Sequence, residues 1–313
     1  ALSSRWSFKT CGDTEVLLAG LVLDGVDFLE RAEGMWAFVL WDSYNERALF
    51  SRDRMGKKPL FYNSSPGQFN ACSEIPAMRN FSGEMHEDVD SISDYFRYGF
   101  FLAGTTAFGE IKELLPGHYM VVDKGVISKL VPYWTLGVGA YAGSHSNAVE
   151  DLYNKVELAV QRRLVSDVEV GCFLSGGVDS SIITSLAHRH IGSRLKTFTI
   201  GFESKSYDER EHASLVSQSI GTQHYERVIS SWNPQDLRKV IEHNVGQPFY
   251  DSSILPTSMV SELAATKVKV ALSGDGADEM FGGYNRYFFG ESIYRYMKFA
   301  PNGFRRIISY ILK

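Results

Sequence analysis

At 313 residues the chain has room for about two domains, and 44% hydrophobic with 13% aromatic residues is ample for packed cores. A net charge of −5 argues against a nucleic-acid footprint, which needs a basic surface excess. Cys11, Cys72 and Cys172 are odd in number and far apart, which argues against a disulfide framework and for a reducing, cytoplasmic setting, and no run of about 18 apolar residues is present to span a membrane.

Up to about residue 136 short strand-like runs dominate: 35–41, 48–51, 59–63, 68–72 and 118–123. Turns rich in Asp, Asn, Gly and Pro separate them. A helix is predicted over 91–98, started by Asp90, and Asp13 reads as the N-cap of an earlier one. Arg52, Asp53, Arg54 and Lys57 form a charge cluster between strands, read either as solvated surface or as ion pairing at a domain interface. Residues 137–147 include Gly, Ala and Ser without an apolar period and read as a linker.

Beyond the linker, helices and strands alternate. Leu152, Val156, Ala159, Val160 and Leu164 mark a helix stripe over 148–164. Strands are expected at 168–174, 195–202, 223–229 and 268–272. Helices are expected from Asp179, over 209–220 with Gly221 as C-cap, from Asn233-Pro234 to Val245, and over 256–265. Tyr207-Asp208-Glu209-Arg210 reads as a helix start with an acidic first turn. His188 and His190 lie two apart on a helix, so they do not share a face as a metal pair would. The stretch 304–313 is an amphipathic helical pattern, a core helix or, because of Arg305, Arg306 and Lys313, a membrane-surface one. It stops without Gly, Asn or Pro, and no Met opens the chain, so both ends are expected to be cut. The alternation implies a parallel sheet with helices on both faces, and a ligand outside the carboxyl ends of its strands.

Two glycine loops sit at such ends. Leu174-Ser175-Gly176-Gly177-Val178-Asp179-Ser180-Ser181 follows one apolar run, and Leu272-Ser273-Gly274-Asp275-Gly276-Ala277-Asp278-Glu279 follows another. Glycine lets backbone N–H groups approach an anion closely, and a helix N-terminus favours negative charge. Each loop also carries an aspartate, Asp179 and Asp278, and magnesium prefers a few carboxylates together with phosphate oxygens. The pattern points to a nucleotide. It contains neither G-x-x-x-x-G-K-[ST] nor a helix-opening G-x-G-x-x-G. Ser-Gly-Gly-Val-Asp-Ser instead resembles the pyrophosphate loop of ATP pyrophosphatases, which form adenylates.

The second half, through 173–181, 197–203, 207–210, 248–253 and 272–284, resembles the synthetase domain of glutamine-dependent asparagine synthetases. The first half, through 12–16, 34–42, 52–62 and 115–118, resembles that family's glutaminase domain. The resemblance implies an α+β N-terminal-nucleophile-type glutaminase domain over 1–136. It implies an α/β doubly wound ATP-pyrophosphatase domain over 148–313, each of them partial. The implied reaction activates aspartate with ATP as β-aspartyl-AMP and amidates it with ammonia from glutamine. Implied partners are glutamine, aspartate, ATP and Mg2+, with neither nucleic acid nor membrane, and a homodimer is compatible.

Residue by residue, the resemblance assigns Ser175, Gly176, Gly177, Asp179, Ser180 and Ser181 to the pyrophosphate loop. Leu174 and Ile200 would flank the adenosine, Ser273 and Gly274 would give a second backbone contact, and Asp179 and Asp278 would hold magnesium. Asp13 would hold the α-ammonium of glutamine. The family's N-terminal cysteine, its oxyanion-hole asparagine and the arginine on glutamine's carboxylate have no counterpart in the sequence, which starts at Ala1. The chain by itself is therefore expected not to hydrolyse glutamine. Asp275 stands where dedicated asparagine synthetases carry Glu, whose role is in the attack of ammonia on the adenylate. That departure keeps open amide or β-lactam formation on another carboxylate, and the missing N-terminal nucleophile keeps open a non-catalytic nucleotide-binding module.

Overall fold

Strand runs separated by tight turns build antiparallel sheets in the first part of this computed structural model, which describes residues 2–65, 68–81, 83–204, 208–230 and 233–311. In chain order the strands are β1 (Ala37–Asp42), β2 (Arg47–Arg52), β3 (Phe61–Ser65), β4 (Gln68–Cys72), β5 (Lys112–Glu113), β6 (His118–Asp123) and β7 (Val126–Pro132). They pair antiparallel in two sheets, ordered β1-β2-β6-β7 and β4-β3-β5. The period-two alternation of strands divides their side chains between two cores. Ala48, Phe50, Met120 and Val122 meet Leu60 and Leu114 on one face of the four-stranded sheet. Leu49, Tyr119 and Val121 turn to the other, against Leu21 of the helix Asp13–Asp24 and Leu29 of the helix Phe28–Arg31. Ile75, Met78 and Ile111 pack on Phe61 and Cys72 of the smaller sheet. The resulting order of layers, helix, sheet, sheet, helix, is the N-terminal-nucleophile type.

The second part has β8 (Val170–Phe173), β9 (Lys196–Phe202), β10 (Gln223–Ile229) and β11 (Val270–Leu272) in one parallel sheet ordered β10-β9-β8-β11. Val160 of the helix His145–Arg163 and Leu186 and Ala187 of the helix Val178–Ile191 pack with Cys172 and Leu195. Ala264 of the helix Ile254–Ala265 packs with Phe198 and Val268 in a separate core. The sheet is doubly wound, and its strand order reverses between β8 and β11.

The structure corrects several boundaries. The helix Val89–Tyr98 is capped by Asp88, which accepts from Ser91 N at 3.1 Å, and Asp90 lies inside it. Gly12, not Asp13, is the N-cap of its helix. The helix after the linker starts at His145, with Ser144 Oγ accepting from Asn147 N at 3.2 Å, so the last residues of 137–147 are helical. Strands β5 and β7 are additional to the sequence reading. The chain divides into two units, Ala1–Tyr141 with Asn233–Leu255, and Ala142–Trp232 with Pro256–Lys313. Residues 233–255 thus pack with the first unit, although the sequence reading counts them with 148–313. Gln247 Oε1 accepts from Ala107 N at 3.0 Å, and Gly246, at φ +77°, is so close to Pro76 that a Cβ there would lie 2.6 Å from its Cδ. Among the described residues no helix is long and apolar enough to cross a membrane.

Candidate functional site

β8 and β11 are hydrogen-bonded neighbours running in parallel, with Val170, Gly171 and Cys172 opposite Val270, Ala271 and Leu272. Their glycine loops therefore leave the same edge of the sheet side by side, at the point where the strand order reverses. That is where doubly wound sheets bind ligands.

The first loop starts from a fixed point. Leu174 is buried, its N–H donates to Phe198 O at 2.9 Å, and its carbonyl accepts from the Thr199 hydroxyl. Gly176 has φ +83°, and a Cβ there would stand 2.6–2.7 Å from His212 and Ala213, so the loop lies directly on the start of the helix Arg210–Ile220. Gly177 is the N-cap of Val178–Ile191, and no side chain caps that end. The serines shape the loop. Ser175 Oγ accepts from Gly177 N at 3.2 Å and lies 2.9 Å from Ser180 Oγ. The Ser180 and Ser181 hydroxyls donate to Gly177 O at 3.2 and 2.6 Å. Ser180 is buried, so its hydroxyl serves the loop interior. Ile200 is half-buried near the end of β9, the strand beside β8.

The second loop rests on the first. A Cβ on Gly274 would stand 2.8 Å from Ser180 N and 3.0 Å from Asp179 Cβ. Gly274 thus meets Asp179 and Ser180, and Ser273 precedes it in the same loop. Asp275 is exposed between Gly274 and Gly276, which has φ +93°. Asp278 lies in the first turn of Ala277–Phe281, whose N-cap is Gly276, so a capping role for Asp278 is excluded. Among the described residues the side chains of Asp179, Asp275 and Asp278 make no hydrogen bond or ion pair, which leaves these carboxylates unspent. Likewise among the described residues, no cluster of three or more His, Cys, Asp and Glu side chains is arranged for a metal. The donor set is two hard carboxylates near uncapped helix N-termini, which suits a magnesium ion that takes its other ligands from phosphate and water.

Some features escape sequence reading. Arg210 Nε and Nη2 grip Asp208 at 2.9 and 2.8 Å, holding its carboxyl below the usual range. The Arg210 side chain crosses the backbone of Gly201, where a Cβ would overlap it. This buckle at the end of β9 makes Asp208–Arg210 structural, and Tyr207 lies outside the described residues. His188 is half-buried and His190 exposed.

In the first unit Asp13 is exposed in the first turn of its helix. Its neighbour Glu15 accepts from Lys9 N at 2.9 Å and Thr10 N at 2.6 Å, and its carboxyl is held at about 2, chiefly by the Thr10 hydroxyl. Arg52 and Asp53, expected at a surface or a domain interface, are buried. Asp53 accepts from the N–H groups of Trp36, Met55, Lys57 and Lys58 at 3.0–3.2 Å. Arg52 reaches Glu113 Oε1 at 2.7 Å and the carbonyls of Gly56, Lys58 and Leu114. All three cysteines are free. Cys172 is buried, and burial pushes its thiol up to about 12. A cavity of about 300 Å³ lined by Tyr62, Lys112, His118 and Leu130 contains none of the expected site residues.

Comparison with known proteins gives two family matches: asparagine synthase over residues 151–306 and glutamine amidotransferase domain over residues 1–134. Among curated relatives, asparagine synthetase [glutamine-hydrolyzing] 1 of Bacillus subtilis is 30% identical over 98% of this chain and 48% of its own length. A putative asparagine synthetase of Methanocaldococcus jannaschii is 34% identical over 88% of this chain and 54% of its own. Amidase chyE of Penicillium rubens is 26% identical over 91% of this chain and 45% of its own. The chain spans about half the length of the curated relatives it matches.

Proposed function

From the premise that this chain belongs to the asparagine synthetase family, we propose that it serves ATP-dependent amide formation with glutamine as nitrogen source. The observation that carries this reading is the pairing of β8 with β11, which sets Gly274 against Asp179 and Ser180 and makes one edge of two glycine loops. ATP lies along that edge. Leu174 and Ile200 flank the adenosine, and Ser273 and Gly274 touch the nucleotide through the backbone. The N–H groups of Ser175, Gly177 and Ser181 are used within the loop, and those left over at the open helix start after Gly177 take the phosphates that leave as pyrophosphate. A preformed set of donors aimed at developing negative charge is the usual source of such stabilisation.

Asp179 and Asp278 hold magnesium, which when bound offsets charge on the phosphates. The acceptor carboxylate attacks the α-phosphorus, forming an acyl-adenylate as the bond to pyrophosphate breaks. Ammonia then attacks the acyl carbon and AMP leaves. Asp13 holds the α-ammonium of the glutamine that supplies the ammonia, in a cytoplasmic setting. Asp275 takes a proton from the attacking ammonia.

Aspartate is the proposed acceptor, giving asparagine. Asp275 favours a second reading. Its side chain is one methylene shorter than the expected Glu, which moves the carboxylate by roughly an ångström, enough to change proton transfer. An acceptor of different length, on which the same scaffold makes another amide, fits that difference. The test is exchange of labelled pyrophosphate into ATP against a panel of carboxylic acids, in the protein that carries this chain. Exchange with aspartate alone supports asparagine synthesis, exchange with another acid supports the second reading, and no exchange with any acid sinks both. Asp275→Asn is expected to lower amide formation from supplied ammonia about 10²–10⁴-fold while ATP affinity stays unchanged. Near-normal turnover would remove Asp275 from the mechanism.

A further inference from the structure

Just past the second glycine loop the chain reverses again. The helix Ala277–Phe281 has five residues and ends at Gly282, at φ +70°. A helix this short has almost no hydrogen bonds of its own to hold its shape, because most of its bonding groups are end groups. External ties fix it instead. Gly283 N donates to Asp278 O at 3.0 Å, and Tyr284 Oη donates to Glu279 Oε1 at 2.7 Å. The Arg286 guanidinium lies 4.3 Å above the Tyr284 ring and 5.8 Å from that of Tyr287. The Asp278 carboxylate is laid on the backbone of Gly283, where a Cβ would overlap it.

We propose that Tyr284 is a positioning residue for Asp278. Its bond to Glu279, with Arg286 stacked on its ring, closes the Gly282–Gly283 reversal and sets the direction of the neighbouring carboxylate. Glu279 and Asp278 are adjacent on one short helix, so tethering Glu279 fixes the rotation of both. Gly283 gives the Asp278 carboxylate a flat seat. The proposal rests on the metal role of Asp278 stated above. It extends that role to a residue whose own side chain is committed to Glu279. Groups that orient a metal ligand commonly matter almost as much as the ligand itself.

The test uses Mn2+ as probe, bound in the presence of ATP and followed by electron paramagnetic resonance. Tyr284→Phe keeps the ring under Arg286 and removes only the hydroxyl. It is expected to weaken Mn2+ binding about 10-fold, with ATP affinity in the absence of metal unchanged. Glu279→Ala should weaken it similarly, and the double variant should be no weaker than Glu279→Ala alone, because both remove the same tie. Additive losses, or an affinity within twofold of the parent in Tyr284→Phe, overturn the proposal. Asp278→Asn separates the two layers. If it weakens Mn2+ binding and Tyr284→Phe does not, the brace fails and the metal reading stands. If Asp278→Asn has no effect, the metal reading fails and the brace falls with it.

Discussion

The turn after β2 and the two glycine loops of the parallel sheet handle polar groups in opposite ways. In the first unit Asp53 and Arg52 are buried, and their hydrogen-bonding capacity goes to their own chain: four N–H groups on one side, three carbonyls and a carboxylate on the other. In the second unit Asp179, Asp275 and Asp278 make no side-chain hydrogen bond among the described residues, and the helix end at Gly177 has no side-chain cap. A buried charge is tolerated only when fully partnered. A charge kept for a ligand has to remain unpartnered in the protein, and it can do so only at an open edge. One loop spends its polarity on stability, the other holds it for chemistry.

The largest expected effect comes from breaking the spent side. Asp53→Ala takes the buried acceptor away from the N–H groups of Trp36, Met55, Lys57 and Lys58, and should destabilise the first unit by about 3–5 kcal/mol. Asp179→Asn should stay within about 0.5 kcal/mol of the parent. Urea unfolding followed by tryptophan fluorescence measures both, and equal losses would erase the contrast.

A smaller effect sharpens the comparison within the glycine loops. Gly176→Ala and Gly276→Ala both place a side chain at positive φ, which costs about 1–2 kcal/mol. Only Gly176 also has His212 and Ala213 in the way, since nothing lies within 4 Å of a Cβ on Gly276. Gly176→Ala should therefore be the more destabilising by at least about 1 kcal/mol in thermal unfolding. Parity would mean that the loop does not lean on the helix Arg210–Ile220.

The smallest effect concerns partnering at the surface of the first unit. His86 Nδ1 lies 2.8 Å from Glu110 Oε1, and that carboxylate raises the imidazole above its usual value of 6.5. A raised folded-state value means that the pair contributes stability below pH 6.5 and loses it as pH rises through the higher midpoint. An NMR titration should place the His86 midpoint above 6.5 and return it towards 6.5 in Glu110→Gln. A midpoint unmoved by that substitution would show the pair to be idle.

Much of this was legible in the sequence where the signal is local. Apolar runs ending in Gly-rich loops located β8 and β11, and Asn233-Pro234 located a helix start that the structure shows, with Asn233 Oδ1 accepting from Asp236 N at 3.0 Å. A parallel sheet with both loops at the carboxyl ends of its strands followed from alternation of helices and strands, whereas the direct pairing of β8 with β11 is seen only in the structure. The burial of Arg52 did not, because one of its partners, Glu113, comes 61 residues later and nothing near Arg52 announces it. A charged run between strands looks like surface until distant carbonyls close over it. Asp90 stands one residue from the apolar pattern and so reads as the helix start. The cap is Asp88, two residues earlier, and the choice depends on backbone conformation rather than residue type. The Asp208–Arg210 buckle was legible only as a helix start, since what it braces is Gly201 on a strand that precedes it.

Residues 233–255 have a consequence for how such a chain can be taken apart or exchanged. The asparagine synthase match runs unbroken over 151–306, yet this stretch within it is folded into the first unit. The chain therefore passes between the units three times, and a single scission near residue 140 yields one fragment short of a packed element and another carrying that element without its seat. Inheritance and folding draw the border in different places. A first half transplanted from a relative has to match not only its own core but also a foreign helix, through Pro76 and Ala107. Compatibility between halves is thus written into a segment that belongs by descent to one and by packing to the other.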